Sequence, residues 1–357
     1  MSSAKEKVIL AMSGGVDSSV AAALLLEQGY DVTGVFMCLG TAGAGDADGR
    51  GCCSPQDAAD ARRVADRLGI ELFVLNLQEE FGGIIDYFVD EYLHGRTPNP
   101  CIHCNARIKF GRLIRHADSL GARFVATGHY ARIADTPAGR AIFRASAIQK
   151  DQSYALFAVA RQVLPRMLLP IGDVQDKARV REIARSLGLA VHDKPDSQEI
   201  CFVADDDYVN LLAAKAPAAL KSGNFVDSAG AVLGRHDGYG RFTIGQRKGM
   251  KVAMGVPYYV TRIDPASGDV TIGPRSETLS RHLRACGATW HGDVQPGLSI
   301  QANVQIRYNH RGAPGVVKIL SDDRFEVEFA EAVPAITPGQ AAVIYIGERL
   351  LGGGWIQ

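Results

Sequence analysis

The chain contains no apolar run of the roughly 18 residues that a membrane-crossing helix needs. Its first residues, Met1-Ser2-Ser3-Ala4-Lys5-Glu6-Lys7, lead straight into a β-rich run without the hydrophobic core of a signal peptide. The expectation is therefore a cytoplasmic protein with no membrane partner. An excess of charge is missing too, since 39 Lys and Arg balance 39 Asp and Glu, which speaks against a uniformly polyanion-binding surface. Seven cysteines, an odd number scattered over 357 residues, do not make a disulfide framework. They are left as thiols, metal ligands or catalytic groups. No internal repeat or low-complexity segment is visible.

What is present is the composition of a globular chain, 46% hydrophobic and 22% charged. Its length exceeds what one core usually serves, so two or three domains are expected. The balanced charge is unevenly placed. Residues 101–132 carry six Lys and Arg against one acid, and residues 241–311 carry ten against four. Two local basic regions are compatible with nucleic acid, although taken alone such regions are more often ordinary solvated faces.

Up to about residue 205 short β-rich runs alternate with helical stretches. Val8–Met12, Asp31–Met37, Glu71–Leu75 and Phe124–Thr127 read as strands, and Pro55–Leu68 and Lys109–Leu120 as helices. This succession predicts an α/β fold, a doubly wound and mostly parallel sheet with its ligand site at the strands' carboxyl ends. Leu39–Ser54 is rich in Gly and Asp and reads as a loop. Beyond a short helix near Asp207–Lys215 the chain turns to Gly, Val and Thr with closely spaced turns. Alternating runs at Ser299–Arg307, Val316–Leu320, Phe325–Phe329 and Ala341–Ile346 suggest a barrel. The expected domains are 1–205, a small β-rich module over 206–275, and a C-terminal β-barrel over 276–357.

The most informative local pattern is Ser13-Gly14-Gly15-Val16-Asp17-Ser18-Ser19, between the apolar run Val8–Met12 and an Ala/Leu-rich stretch. Two glycines let the backbone approach an anion. The helix that opens there offers unpaired N–H groups and the positive end of its dipole. The lysine of a Walker A loop is absent, so the usual grip on β and γ phosphates before γ transfer is absent with it. The pattern SGGxDS resembles the pyrophosphate loop of the N-type ATP pyrophosphatases, which cut ATP between its α and β phosphates.

A second constellation reads Arg96-Thr97-Pro98-Asn99-Pro100-Cys101-Ile102-His103-Cys104-Asn105. Prolines on both sides of Asn99 enforce an extended approach, and Cys101 and Cys104 follow at the spacing that puts two thiols on one side of a turn. Such a pair could be redox-active, bind metal or carry sulfur. Arg107 and Lys109 close by would favour a reactive thiolate. No second close pair completes a structural zinc site. Cys201, in Asp193-Lys194-Pro195-Asp196-Ser197-Gln198-Glu199-Ile200-Cys201-Phe202, reads either as a buried small hydrophobe or, after its Pro-anchored polar loop, as an active-site thiol. Cys38 and Cys286 read as packing residues, and Cys52 and Cys53 as loop thiols.

In this order and at these distances SGGVDSS, RTPNPCxxCNxxIKF, ATGHYAR, KDQSYxLF and DKPDSQEICF resemble the tRNA-specific 2-thiouridylase family, which thiolates uridine 34 at the anticodon wobble position. The similarity runs on through Gly245-Gln246-Arg247-Lys248-Gly249 and the C-terminal β module. The resemblance implies an adenine nucleotide α hydrolase-like sheet and an ATP- and Mg²⁺-dependent adenylation of uracil O2. It places ATP against Ala11, Met12, Ser13, Gly14, Gly15, Val16, Asp17, Ser18, Met37 and Gly128. Cys201 is implied as carrier of a persulfide received from an upstream sulfur-carrier protein, and Cys104 as the nucleophile that forms a transient disulfide with it. Asn99, Pro100 and Cys101 are implied at the target base. His129, Lys150, Asp151, Gln152, Arg307, Tyr308 and Gln340 are implied at the tRNA.

Where some members carry an aspartate this chain has Cys101, a different base for proton transfer. The thiols of Cys101, Cys104 and Cys201 could also ligate a 4Fe-4S cluster through three irons, with one iron open to sulfide. No separate resident metal site is expected. Two other classes stay open on the residues alone. One is an ATP-pyrophosphatase synthetase of another kind, which leaves Cys104 and Cys201 without work, and the other is a nucleotide-responsive RNA-binding protein.

Overall fold

The computed structural model describes residues 5–40, 54–195, 200–203, 207–252 and 254–357. Cys52, Cys53 and most of the Gly/Asp-rich loop after Leu39 lie outside the described residues, as do Asp196 to Glu199. The chain divides into two compact units. The first holds residues 1–84, 101–204 and 348–350, and the second residues 85–100, 205–347 and 351–357.

The first unit is built on a parallel five-stranded sheet. Strand β1 (Lys7–Ala11) lies at its centre, then helix α1 (Val16–Glu27), β2 (Asp31–Cys38), α2 (Pro55–Leu68), β3 (Glu71–Asn76), α3 (Gln78–Leu93) and α4 (Pro100–His103) follow in the chain. Further on come α5 (Leu113–Ser119), β4 (Phe124–Ala126), the hairpin β5 (Ala131–Thr136) and β6 (Gly139–Arg144), β7 (Met167–Leu168) and α6 (Lys177–Ser186). The order across the sheet is β3-β2-β1-β4-β7, so both neighbours of β1 are reached by crossovers, with Val8 opposite Val32 on one side and Phe124 on the other. A strand covered on both faces must be apolar throughout, and Val8, Ile9, Leu10 and Ala11 are all buried.

Local chemistry explains the helix ends. In α2 the Ser54 hydroxyl accepts from the Asp57 N–H at 3.0 Å, Pro55 occupies the first turn, and Gly69 takes the left-handed conformation (φ 68°) that closes the helix. Helix α1 buries Val16, Val20, Ala21, Ala22 and Leu25, and its valine and leucine side chains each contribute about 1.5–3 kcal/mol. That burial fixes α1 behind the sheet with its first turn at the carboxyl end of β1.

The second unit begins with the C-terminal part of α3 and resumes at α7 (Tyr208–Lys215). Strands β8 (Gly223–Val226), β9 (Val232–His236), β10 (Tyr258–Ile263) and β11 (Val270–Pro274) form a sheet in the order β10-β11-β8-β9 around Phe225, Phe242, Val260 and Ile272. Six strands then close a barrel: β12 (Leu279–Trp290), β13 (Ser299–Gln305), β14 (Ala313–Ser321), β15 (Arg324–Pro334), β16 (Ala341–Ile346) and β17 (Arg349–Ile356). They run β12-β15-β14-β13-β16-β17, and β12 pairs back to β17 with Trp290 opposite Gly352. The inward residues, among them Val304, Val317, Phe325, Val327, Phe329 and Ile344, fill the lumen. Cys38 and Cys286 are half-buried in β2 and β12. Among the described residues no helix is long and apolar enough to cross a membrane.

Candidate active site

At the end of β1 the backbone turns through Ser13, Gly14 and Gly15 into α1. Gly15 is the N-cap, extended at φ −95° and ψ 166°, and no side chain caps the helix. The positive end of α1 is therefore offered by the backbone itself. The serines of the motif hold the turn. Ser18 Oγ accepts from Ser13 N–H at 3.2 Å and donates to Gly15 O at 3.1 Å, while Ser19 Oγ donates to Gly15 O at 2.8 Å.

Two glycines mark close backbone approaches. Gly14 has φ +73°, and a Cβ there would stand 2.2 Å from the Asp57 carbonyl oxygen. Gly128, just beyond β4, packs on the first turn of α1, where a Cβ would lie 2.7 Å from the Ser18 nitrogen. A side chain at 128 would therefore force the loop beyond β4 away from the first turn of α1. The loop and the first turn of α1 are thus held in close backbone contact, with the helix N-terminus at the carboxyl end of β1.

The charges around the loop are paired. Lys177 Nζ, in the first turn of α6, donates to both Asp17 carboxylate oxygens at 2.8 and 2.7 Å, and the Tyr130 hydroxyl donates to Asp17 Oδ1 at 2.8 Å. Lys194 Nζ donates to Gly14 O at 3.0 Å and to Asp57 Oδ1 and Asp60 Oδ2 at 2.6 Å each. Burial alone would raise the Asp60 carboxyl, but the hydrogen bonds from Lys194 and Arg63 outweigh it and hold the group below its usual value. Burial would likewise lower Lys194, and its two carboxylate partners raise it instead. Lys194 thus ties the loop to α2.

Of the residues expected at ATP, Ser13 is exposed, and Gly15, Asp17, Met37 and Gly128 are half-buried. Ala11, Gly14, Val16 and Ser18 are buried. Met12 is 1% exposed, its side chain sits in the core, and its N–H is bonded to Val35 O at 2.9 Å. The side chain of Met12 is therefore core packing, and what it offers the loop is its place in the chain.

Cys101 is exposed within α4, whereas Cys104 is buried and opens a nine-residue π-helix, Cys104–Arg112. Such wide turns are rare and concentrate at functional sites. Gly111 fits this one, since a Cβ there would lie 2.9 Å from Ala106 O. Asn105, 2% exposed, donates through Nδ2 to Ala155 O at 2.9 Å and so anchors the turn to the Ser153–Leu156 segment. Burial, aided by the Arg107 charge, pushes His103 down to about 4, so it is neutral near pH 7. Cys201 is half-buried, and the Phe202 ring beside it meets Phe81 edge-on at 5.6 Å. Cys104 and Cys201 both carry thiols and both belong to the first unit. Among the described residues no three His, Cys, Asp or Glu side chains are gathered as a metal site, so Cys101, Cys104 and Cys201 are not assembled as cluster ligands.

The whole chain aligns with known proteins. A family model described as a tRNA methyl transferase HUP domain matches residues 6–205, a tRNA methyl transferase PRC-barrel domain 210–274, and an aminomethyltransferase beta-barrel domain 280–356. The tRNA-specific 2-thiouridylase MnmA of Carboxydothermus hydrogenoformans is 50% identical, with 99% of this chain and 98% of that protein aligned. Its counterpart in Rhodopirellula baltica is 47% identical over 98% and 96% of the two chains, and that of Clostridioides difficile 45% over 99% and 98%.

The chain belongs to the tRNA-specific 2-thiouridylase family. Membership makes it a tRNA-modifying sulfurtransferase, with the parallel sheet and C-terminal barrel that its motifs led one to expect.

For this 2-thiouridylase the expected RNA contacts fall into two groups. Tyr308 is 45% exposed, and Lys150 and Arg307 are half-buried. Arg307 Nη1 also donates to Pro334 O at 3.3 Å. The others have the following contacts within the protein. His129 is 8% exposed, its Nδ1 lies 2.7 Å from Thr127 Oγ1, and burial together with the Lys109 charge holds it well below the usual histidine value. Asp151 pairs with Arg144 at 2.8 Å and accepts from the Ala145 and Ser153 N–H groups, and Gln152 Oε1 accepts from Tyr130 N–H at 2.9 Å. Gln340 donates to the backbone of Thr97 and Pro98. Asn99 is half-buried and Pro100 buried.

Sequence reasoning missed Lys177, Tyr130, Asp57, Asp60 and the role of Lys194. Lys194 stood inside a quoted motif, and its proline neighbour was the available signal. Lys177 is 160 positions from Asp17, and nothing local connects them.

Proposed function

We propose that this family member replaces O2 of uridine 34 in tRNA by sulfur, in two steps that share the first unit. Uracil O2 attacks the α phosphate of ATP, the bond to the β phosphate breaks, and pyrophosphate departs toward the N-terminus of α1. The oxygen, now part of an adenylate, can leave with AMP, which oxide alone could not do. The single observation that carries this reading is the first turn of α1, which no side chain caps and which opens at the carboxyl end of β1, where backbone N–H groups and the helix dipole suit an anion. Asp17 is the carboxylate of the loop, and with its oxygens held by Lys177 and Tyr130 it would hold Mg²⁺ only once Lys177 gives up a contact; the ion would neutralise charge on the phosphates it shares.

The thiols supply the second step. A persulfide on Cys201, received from a carrier protein, holds sulfur in the transferable state. In one route its terminal sulfur attacks C2, AMP leaves, and the Cys104 thiolate attacks Cys201 Sγ, releasing 2-thiouridine and forming a Cys104–Cys201 disulfide. In the other, Cys104 attacks first and frees hydrosulfide, which then attacks C2. Both end in the same disulfide, which a dithiol reductant must reopen with two electrons before the next turnover. Cys104 and Cys201 are 97 positions apart, and the bond requires their Cα atoms within about 7 Å.

Asn99, Pro100 and Cys101 are the proposed contacts of the everted base, with Lys150, Arg307 and Tyr308 as the RNA-facing cations and stacking ring. The matched family models carry a methyl transferase description, but a phosphate cradle and a buried thiol opening a π-helix suit sulfur transfer. The test is nucleoside mass spectrometry of tRNA incubated with the enzyme, ATP, Mg²⁺ and an active sulfur donor. 2-Thiouridine at position 34, with AMP and pyrophosphate released in step, is the expected result. An unchanged wobble uridine refutes the reading.

A further inference from the structure

The segment that carries Asn99 is poor in ways to hold itself. Between Thr97 and Pro100 two of the four residues are prolines without an N–H, so only Thr97 and Asn99 can donate from the main chain. Carbonyls in such a segment must be fixed from outside. The turn Pro338-Gly339-Gln340, between β15 and β16, does this within the second unit.

Three hydrogen bonds make the connection. Thr97 N–H donates to Pro338 O at 2.9 Å, and Gln340 Nε2 donates to Thr97 O at 3.1 Å and to Pro98 O at 3.0 Å. Gly339 permits the approach, because it has φ +88° and a Cβ there would stand 2.8 Å from both Thr97 O and Glu91 Oε2. The turn is in turn anchored to the last strand, with Gly339 N–H on Ile356 O at 3.0 Å and Ile356 N–H on Gln340 O at 2.8 Å. On the other side Arg96 is clamped by Glu91, at 2.5 Å to Oε1 and 2.9 Å to Oε2. A primary amide has two hydrogens, and both of Gln340's are committed to the protein.

We infer that Gln340 is a positioning residue for the target base: its two amide hydrogens fix the Thr97 and Pro98 carbonyls, and thereby the aim of Asn99 and Pro100. The inference rests on the assignment of Asn99 and Pro100 to the uracil. A barrel turn, remote in sequence, is then part of the machinery that presents the base.

The experiment uses full-length Gln340→Met, similar in length but without donors, and Gln340→Asn, which keeps the amide one methylene short of its carbonyls. Three quantities are measured: tRNA dissociation constant, single-turnover thiolation at saturating tRNA and ATP, and amide hydrogen exchange over residues 94–105. The expected result is a saturated rate lower by roughly 10–100-fold, as follows from sub-ångström to ångström misplacement. The tRNA dissociation constant stays within about twofold and exchange at Thr97 is faster. Weakened tRNA binding with an unchanged saturated rate overturns the inference, because Gln340 then grips RNA. So does a thiolating enzyme whose rate and exchange ignore both substitutions. A wild-type enzyme that leaves uridine unthiolated overturns the functional reading first, and this inference with it.

Discussion

Gly128→Ala is the sharpest perturbation of the proposed phosphate site. A Cβ at 128 would lie 2.7 Å from Ser18 N, 2.8 Å from Asp17 C and 3.0 Å from Asp17 O, whereas ordinary contact begins at 3.4 Å. The shortfall of 3.4 minus 2.7, or 0.7 Å, is against backbone that cannot rotate aside. The loop beyond β4 and the first turn of α1 must therefore separate by most of an ångström. Overpacking of this kind costs about 1–3 kcal/mol, which corresponds to a melting point lower by roughly 2–10 °C. Displacing the donors that receive pyrophosphate by that distance lowers tRNA-dependent pyrophosphate release by roughly 10–100-fold. Gly15→Ala is the companion. Gly15 has φ −95° and its Cβ would meet only Ser13 Oγ, at 3.4 Å, so the fold loses at most about 2 °C. Its added methyl nevertheless obstructs an anion that sits on the loop, and the KM for ATP rises. Pyrophosphate release at the wild-type rate and KM in Gly128→Ala would refute the assignment of the α1 N-terminus to the cleaved phosphates.

Cys104→Ser and Cys201→Ser each abolish thiolation and leave tRNA binding within about twofold by filter binding; a serine variant that thiolates normally removes that thiol from the scheme. Asp17→Ala stops AMP formation, read by chromatography of ATP products. Lys177→Met leaves the Asp17 carboxylate with Tyr130 alone and costs about 1–3 kcal/mol in urea unfolding. The pH dependence has a definite sign. His103 (about 4) and His129 are held below their unfolded value, so their contribution is complete above about pH 6.5 and is lost as pH falls toward 4. Asp60 is lowered and Lys194 raised, so that pair contributes fully between about pH 4 and 10.5 and is lost beyond either end. A urea midpoint that is flat from pH 7 to 5 contradicts the histidine part. Chelation of Mg²⁺ weakens ATP binding at least about tenfold by equilibrium dialysis; unchanged binding in EDTA contradicts the role given to Asp17.

What the sequence made legible was local. Ser54-Pro55 and Gly69 bracket α2, and its bounds, Pro55–Leu68, could be read from those caps and the apolar spacing. Strand β1 was readable because it is apolar at every buried position, and the SGGVDSS turn because Gly and a new helix coincide there. The expected helix Lys109–Leu120 is instead the end of a π-helix, Cys104–Arg112, followed by α5. A 3.6-residue period cannot register turns closed by i→i+5 hydrogen bonds; Ile108, Phe110, Leu113 and Ala117 are the residues buried along this stretch. Helix α3 and the β5–β6 hairpin carry weaker signals and went unread. The charge partners were invisible for a different reason. Lys194 reaches Asp57 and Asp60 across 137 and 134 positions, and only the folded first unit brings those carboxylates to it.

On the proposed reading, those hidden partners decide how the loop attracts a nucleotide. Lys194 and Arg63 stand against Asp57 and Asp60, two cations on two carboxylates, and Lys177 stands against Asp17. Side-chain charge around the loop therefore cancels, and the remaining field is the positive end of α1, equivalent to about half an elementary charge. A triphosphate bears several negative charges, far more than half a charge can match. The loop can select the position of an anion through its backbone N–H groups, but neutralisation has to come with the ligand as a divalent cation or from a rearranged lysine. If Mg²⁺ engages Asp17, Lys177 loses one of its two carboxylate contacts and its ammonium becomes available to the departing pyrophosphate. Lys177→Met should then slow pyrophosphate release more than it weakens ATP binding, and equal losses in both would mean that Lys177 serves only to hold Asp17.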